Sequence, residues 1–483
     1  MSGVSSEYLK DESRQCGQAE KLLFLQQCEE LWDIIHTGEQ VTVQGSRTGI
    51  SGACIPRGGT VLNLSRMKGI LKRGEDENGR YLDVLPGTTL EEIDREAGEN
   101  YFFPPDPTEK TASIGGMLAT NAAGPAALRY GTTAKYISEA DVLFPAFGWM
   151  TVKRGEYIFS DNGELILANG KKLQISDISE ADNRAIRQLT PTAGMDLLDL
   201  LAGSEGMLGI FGRIRIRLCP RPSGRWSLLC FFREEKNALI FSERILKAAQ
   251  EWKDTELAAD DFLDRNSLSC YREFAAQSAQ YARIPDVPEE HCAVMLDVAG
   301  NDQGYMEDVL EQILILLEEC GGSDENTWAA DLEEEREKIR LLRHAVPECI
   351  NAKIDRIRRV YPEFTKLSVD AACPKISAAQ FLSELREHTD VKCTATIHRG
   401  RNIYHIDFLP DTKEQISEAK ERRRTIFAYM ARHDGVLAAE NGIGKGKGGL
   451  FKEYLSEEQT RIMRQVKNFF DPNHQLNVGN IWE

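Results

Sequence analysis

Apolar and polar positions change rhythm along the chain, and the rhythm sketches its elements. Residues 20–35, EKLLFLQQCEELWDII, repeat apolar side chains at helical spacing, which predicts a helix. A strand, QVTVQG, follows and ends at Gly45, where the chain opens into SRTGISGACIPRGG, dense in glycine and small residues. TVLNLSRM and YLDVLPGTTL read as short strands with turns between them. TTLEEIDREAG starts a helix, with Thr88 or Thr89 as cap and acids in its first turn. YFFPPDPTEKTASIGGMLATNAAG is the least regular of these stretches, broken by prolines and by Gly115–Gly116. SEADVLFPAFG and WMTVKRG read as paired strands, and GSEGMLGIFGRIRIRLCP (203–220) runs a glycine turn into an alternating strand.

Near residue 220 the glycine-rich loops stop. WSLLCFF, ELAADDFLD and HCAVMLDVAG read as strands, and EEKNALIFSERILKAAQEW and YMEDVLEQILILLEEC as helices. EEEREKIRLLRHAVPECINA (helix), KLSVDAACP (strand), SAAQFLSELREHT (helix) and the strand pair CTATIHRGRNIYHIDFLP follow. This pattern predicts an α+β domain, an antiparallel sheet with helices to one side. From about 414 come the helix EQISEAKERRRTIFAYMARHDG, the short strand VLAA, a loop containing ENGIGKGKG, and a last helix, EEQTRIMRQVKNFF.

A length of 483 residues exceeds the usual range of one core, so at least two domains are expected. The formal net charge of -17 argues against a large nucleic-acid footprint while leaving room for a local basic pocket. Eleven scattered cysteines without a CxxC point away from an iron–sulfur cluster or a thioredoxin-like pair, and fit reduced thiols in a cytoplasmic protein. MSGVSSEYLKDESRQ lacks the apolar core of a signal peptide. No run of 18 apolar residues occurs, so no membrane span is expected.

Four glycine loops stand out: GSRTGISG (45–52), TASIGGMLATNAAG, RYG (129–131) and GSEGMLG. None is a GxGxxG fingerprint, and GKGKGG near the end is not a Walker A loop. Successive amides in a turn make an anion nest, to which Ser46, Thr48 and Ser51 add hydroxyls, and a pyrophosphate suits it. A tight hairpin that needs small residues accounts for one such loop equally well. Four together point to a backbone wrapped closely around something large and flat.

With these motifs the chain resembles the FAD-linked oxidases of the vanillyl-alcohol-oxidase type. Within them it is most similar to the group of the glycolate oxidase subunit, D-lactate dehydrogenase and D-2-hydroxyglutarate dehydrogenase. The resemblance runs over nearly the whole chain. It implies an α+β fold: a two-part FAD-binding domain over 1–219, an antiparallel-sheet cap (substrate) domain over 220–413, and a C-terminal segment, 414–483, that returns to the flavin. It assigns FAD contacts to Gly45, Ser46, Arg47, Thr48, Gly49, Ser51 and Gly52 in the first loop. In the second they fall on Pro107, Thr111, Gly115, Gly116, Ala119, Thr120, Asn121, Gly124, Arg129 and Gly131. Glu205, Gly209 and Ile210 close the FAD domain, and Asn477 lies in the terminal stretch FDPNHQLNVGNIW. Residues 43–56 hold no histidine for a covalent tether, so FAD is expected to be noncovalent.

IHRGRNIYH places His398 and His405 seven residues apart. On one strand that spacing puts them on opposite faces, whereas a hairpin turning near Gly400–Arg401 brings both rings together. Two imidazoles and a carboxylate make a site for Zn²⁺ or Mn²⁺; a pair of surface histidines is the bland alternative. The resemblance implies the first, with Glu440 as third ligand. Asn441 then stands where the family has its proposed catalytic histidine. Asparagine can orient a hydroxyl or a water but cannot act as the base. Three readings stay open: a metal that acidifies the substrate hydroxyl, a different histidine such as His344 or His433, or a different substrate.

Arg343 matches the family arginine that clamps the substrate carboxylate, and the bland alternative is a solvent-facing helix arginine. Lys366 is a weaker second candidate. Lys445 and Lys447 either meet an anion or sit on the surface, the latter expected for at least one of them. Arg343, Asn441 and His405 are thus expected at the reacting centre. The expected activity is FAD-dependent oxidation of a CH–OH group in a small anionic 2-hydroxy acid, D-lactate or glycolate, by hydride transfer to flavin N5. Electron-transfer flavoprotein or an iron–sulfur subunit is the partner the resemblance implies, and would be the route to any membrane. A homodimer is compatible with this, and no nucleic-acid partner is expected. The alternatives are another substrate on the same fold, or a flavin-carrying subunit of an electron-transfer complex.

Overall fold

The alternation in IFGRIRIR becomes a strand with one face in the core and one in a charge ladder. Ile210, Ile214 and Ile216 are buried, while Arg213, Arg215 and Arg217 line the other face. There they pair with Asp83, Glu139, Asp141 and Asp76 from neighbouring strands. These opposite-charge pairs across neighbouring strands are largely buried and hold the register of the sheet.

The computed structural model describes residues 3–176, 189–275, 277–284, 286–387 and 390–481. Residues 388–389, the end of SAAQFLSELREHT, and Trp482 of the terminal stretch lie outside them. The chain forms two compact units: Met1–Gly124 with Thr132–Arg221 and Glu440–Glu483, and Pro125–Gly131 with Pro222–Ala439.

In the first unit, strands β1 (Lys21–Phe24), β2 (Val41–Gln44) and β3 (Thr60–Asn63) form a parallel sheet in the order β1-β3-β2. Residues near the C-terminus extend it: Val41 N donates to Gln475 O and Asn477 N to Val41 O, both at 2.8 Å. Strands β4 (Ile70–Asp76), β5 (Gly79–Val84), β7 (Ile137–Phe144), β8 (Gly148–Lys153) and β11 (Ile210–Arg217) form an antiparallel sheet in the order β4-β5-β11-β7-β8. Two short ribbons complete the unit: β6 (Tyr101–Phe102) with β12 (Cys219–Pro220), and β9 (Glu164–Ile166) with β10 (Lys172–Gln174). One core cluster, with Leu31, Ile35, Val41, Leu62, Leu143, Ile210 and Leu476, joins both larger sheets to the C-terminal segment. Lys467 is fully buried there. Its ammonium lies 2.7 Å from Asp471 and donates to the carbonyls of Met207 and Leu476, so the buried charge is fully ligated.

In the second unit a seven-stranded antiparallel sheet runs β16-β13-β15-β14-β18-β19-β17. These are β13 (Gly224–Phe232), β14 (Thr255–Leu263), β15 (Cys292–Gly300), β16 (Thr327–Ala330), β17 (Ser368–Ala372), β18 (Cys393–His398) and β19 (Ile403–Phe408). Three of its helices are Glu235–Ala248, Gln303–Glu319 and Glu333–Val360. Among the described residues no helix is long and apolar enough to cross a membrane.

Four local expectations change, the first being the short strand VLAA, reduced to an isolated bridge between Val436 and Ala372. The helix expected over 20–35 is strand β1 followed by the helix Glu29–Ile35; pairing of Lys21–Phe24 with Thr60–Asn63 overrides the apolar period. The irregular stretch before Asn121 contains the helix Ile114–Thr120, capped by Asn121 in the left-handed region (φ 52°). The glycine-lysine loop is the helix Gly444–Phe451. The cap left open between Thr88 and Thr89 is Thr89, which forms a capping box with Glu92.

Candidate active site

The first glycine loop leaves the C-terminal end of β2, where parallel sheets usually present their ligands. Four non-glycine residues of this unit's expected cofactor set sit at positive φ: Arg47 (62°), Asn121 (52°), Glu205 (52°) and Asn477 (47°). Such turns aim consecutive amides to one side, which suits a diphosphate. Ser46 and Thr48 are half-buried beside Arg47, whose guanidinium lies 4.3 Å from the Tyr8 ring centroid.

Glu205 ties three of these segments together. Its carboxylate accepts the amides of Ile443 (2.5 Å) and Gly444 (2.9 Å), and its carbonyl accepts Asn477 Nδ2 (2.6 Å) and Asn480 Nδ2 (3.2 Å). Asn477 Oδ1 accepts Val43 N at 2.7 Å. Burial pushes the Glu205 carboxyl above its ordinary range, opposed by the two amides and by Lys445 and Lys447. Gly444 has φ +53°, and a Cβ there would strike the Ser51 carbonyl. Glycine is therefore required where this helix begins. Likewise a Cβ on Gly45 would strike Ser113 Oγ.

The lysines do not sit on the surface. Lys447 is buried and donates to Gly442 O at 3.0 Å, while Lys445 donates to Ala53 O (3.2 Å) and Asn480 Oδ1 (2.6 Å). Burial lowers the Lys445 ammonium to about 8. Lys445 ties this loop to Ala53 and Asn480 while Lys447 closes it on its own Gly442, and these bonds override the surface expectation.

Other expected cofactor residues take varied places. Gly115, Gly116, Ala119 and Thr120 lie on the helix Ile114–Thr120, with Thr120 Oγ1 donating to Gly116 O. Asn121 Oδ1 accepts Ala134 N at 3.0 Å. Thr111 is exposed and bonds to Glu109, whereas Gly209 and Ile210 are buried. Arg129 and Gly131 belong to the second unit, where Arg129 pairs with Glu256 on β14.

In the second unit the hairpin β18–β19 turns through Arg399–Arg401, with Asn402 at φ 47°. Thr396 faces His405 and His398 faces Ile403, so both histidines share one face as diagonal neighbours. Their ring centroids are 5.1 Å apart. The same row continues across neighbouring strands, for Asp261 on β14 faces His398 and Asp370 on β17 faces His405. Asp261 Oδ1 lies 2.6 Å from His398 Nδ1, and Asp370 Oδ1 lies 3.9 Å from His405 Nδ1.

Arg343 is not a solvent-facing arginine. Its side chain is 12% exposed and reaches this row, with Nε 3.1 Å from Asp261 Oδ2 and both Nη atoms 3.2 Å from Asp297 Oδ2. Lys366 is tied to Asn351 (2.9 Å) and Asp407 (3.3 Å). His433 Nδ1 lies 2.8 Å from the Tyr429 carbonyl, and His344 follows Arg343 on the helix Glu333–Val360. Val436 pairs with Ala372 on β17, four residues before Glu440, which opens the last segment of the first unit with Asn441 beside it.

Residues 225–481 match the family model "FAD linked oxidases, C-terminal domain", and residues 25–150 match "FAD binding domain". The chain belongs to the FAD-linked oxidases. Like other FAD-linked oxidases it is an FAD-dependent oxidoreductase, and its nest-forming loops and hydroxyls fit that cofactor. It is 26% identical over 455 residues to a D-lactate dehydrogenase of Anaerostipes hadrus, covering 91% of this chain and 84% of that one. It is also 26% identical to the glycolate oxidase subunit GlcD of Bacillus subtilis, covering 92% of this chain and 83% of that one. Among solved structures it resembles alkyldihydroxyacetonephosphate synthase, with TM-score 0.62 and 13% identity over 94% of this chain and 75% of that one, a likeness of fold.

Sequence reasoning missed Asp261, Asp297 and Asp370, and the joining role of Glu205. The signal for the aspartates was present: ELAADDFLD, HCAVMLDVAG and KLSVDAACP each place an acid inside an apolar strand. A buried carboxylate needs cationic or N–H partners, which here are His398, His405 and Arg343.

Proposed function

We propose that this FAD-linked oxidase oxidises a small 2-hydroxy acid, D-lactate or glycolate, and passes the electrons to a protein partner. The observation that carries the reading is His398 and His405 on one polar sheet face with the Arg343 side chain reaching that row from the helix Glu333–Val360, two metal-type ligands beside a carboxylate-type clamp. The names of the two relatives, D-lactate dehydrogenase and glycolate oxidase subunit, support it.

His398, His405 and Glu440 hold a divalent metal, zinc or manganese, in this reading. The donor set fits: Asp261 engages Nδ1 of His398, which leaves Nε2 as the ligating nitrogen. When bound, the metal supplies a Lewis acid for the substrate hydroxyl, and the noncovalently bound FAD supplies the hydride acceptor. Arg343 orients the substrate by its carboxylate. Asn441 orients the hydroxyl or a water, and the proton leaves to solvent by way of that water rather than to the amide. Electron-transfer flavoprotein or an iron–sulfur subunit takes the electrons.

Elemental analysis of the purified protein, with turnover of D-lactate and glycolate by an artificial acceptor before and after chelation, tests this. About one metal per chain and activity lost on chelation are expected; activity indifferent to chelation would refute the metal role. Asn441 favours a second reading, another substrate on the same fold, because the titratable base is missing where the family carries it.

A further inference from the structure

The carboxylate of Asp261, 1% exposed, is neither a metal ligand nor the substrate clamp, yet it touches both. Its two oxygens address different groups. Oδ1 lies 2.6 Å from His398 Nδ1 and Oδ2 lies 3.1 Å from Arg343 Nε. On its far side Arg343 donates through both Nη atoms to Asp297 Oδ2, and Asp297 Oδ1 accepts Ser227 Oγ at 2.6 Å. One polar chain therefore runs from Ser227 through Asp297, Arg343 and Asp261 to His398. It crosses β13, β15, the helix Glu333–Val360, β14 and β18.

We propose that Asp261 is a positioning residue that sets the ligating nitrogen of His398 and the orientation of Arg343 together. The inference rests on the metal reading above. A carboxylate only accepts, so Nδ1 of His398 carries the proton and the Nε2 lone pair is turned to the metal. Arg343 donates from both Nη atoms to Asp297 and is ion-paired with Asp261 on its Nε side without an aligned N–H bond there, so the two carboxylates bracket the guanidinium. Metal and substrate carboxylate then keep a spacing set by one carboxylate. Asp370 Oδ1 lies 3.9 Å from His405 Nδ1, against 2.6 Å for the Asp261–His398 contact. Asp297 touches only the arginine side of this arrangement, which separates the two effects experimentally.

The test uses the FAD-loaded full chain. Zinc(II) affinity is measured by competition with a chromophoric chelator, and kcat and KM with D-lactate and an acceptor dye. Asp261→Asn is expected to weaken zinc binding by roughly 10- to 100-fold and to raise KM. Asp297→Asn is expected to raise KM while zinc affinity stays at the wild-type value. A purely structural role for Asp261 would lower thermal stability without this split. Nitrogen-15 correlation spectra of the metal-free wild type, which need no variant, are expected to show His398 as the Nδ1–H tautomer. Wild-type zinc affinity in Asp261→Asn, or an Nε2–H tautomer of His398, would overturn the inference and leave the metal reading standing. A wild type that takes up no zinc would overturn both.

Discussion

The amide of Gly444 donates to Glu205 Oε2 at 2.9 Å, joining two residues 239 positions apart. The adjacent Ile443 amide donates to Oε1 of the same carboxylate. This buried acid thus fixes the start of the helix Gly444–Phe451, a few residues after Glu440 and Asn441. Glu205→Gln turns an amide N–H₂ toward donors and leaves a buried amide without its acceptor. A loss of about 1–3 kcal/mol is expected, read by urea unfolding followed through flavin fluorescence, with faster release of FAD. Wild-type stability in this variant would show that the carboxylate is not the tie.

Replacing a metal ligand separates metal from flavin. Glu440→Ala and His398→Ala are expected to lose bound metal and to lower turnover by roughly 100-fold or more, with FAD content unchanged. Metal analysis and flavin absorbance on the same samples check both halves. Retention of metal in Glu440→Ala would remove Glu440 from the ligand set.

Asn441 marks where a base is missing. Asn441→His is expected to keep metal and FAD and to raise turnover by about 10-fold or more, since a positioned base contributes typically 10²–10⁴. Its rate should fall as pH drops below about 6.5, where the new imidazole protonates. A pH–rate profile against the wild type measures this. A fall in turnover would instead assign the amide a task of its own.

Asp260 gives a pH signature in the second unit, on the sheet face opposite Asp261. It accepts Ser242 Oγ at 2.7 Å, and burial pushes its carboxyl up to about 7. Because the folded value lies above the unfolded one, ionisation opposes folding. The stability is present below about 4 and is lost as pH rises through about 7. Asp260→Asn is expected to remove this dependence, a wild-type-minus-variant change of up to about 4 kcal/mol. Parallel unfolding curves for both proteins between those pH values would contradict it.

Much of this architecture was legible because local pattern and tertiary need agreed. The alternation of Ile210–Arg217 marked a strand with one buried face, and Thr89 with Glu92 marked a helix start. His398 and His405 were legible as a hairpin pair because Gly400 and Asn402 provide the turn. What escaped depended on distant partners. Lys21–Phe24 is a strand because Thr60–Asn63 lies alongside it. The segment from Gly444 is a helix despite four glycines because Glu205 caps it and the Ser51 carbonyl leaves no room for a Cβ. Lys445 and Lys447 look like surface charges until the carbonyls that receive them are seen. Asp261 is an unremarkable strand acid until His398 and Arg343 converge on it.

Anaerobic mixing of the FAD-loaded, metal-replete protein with a panel of D- and L-2-hydroxy acids tests the central claim most directly. The account predicts that D-lactate or glycolate bleaches the oxidised flavin's visible absorbance band, one substrate per flavin, and that a variant lacking Arg343 bleaches only at much higher substrate concentration. A flavin that stays oxidised with every hydroxy acid in the panel would contradict it.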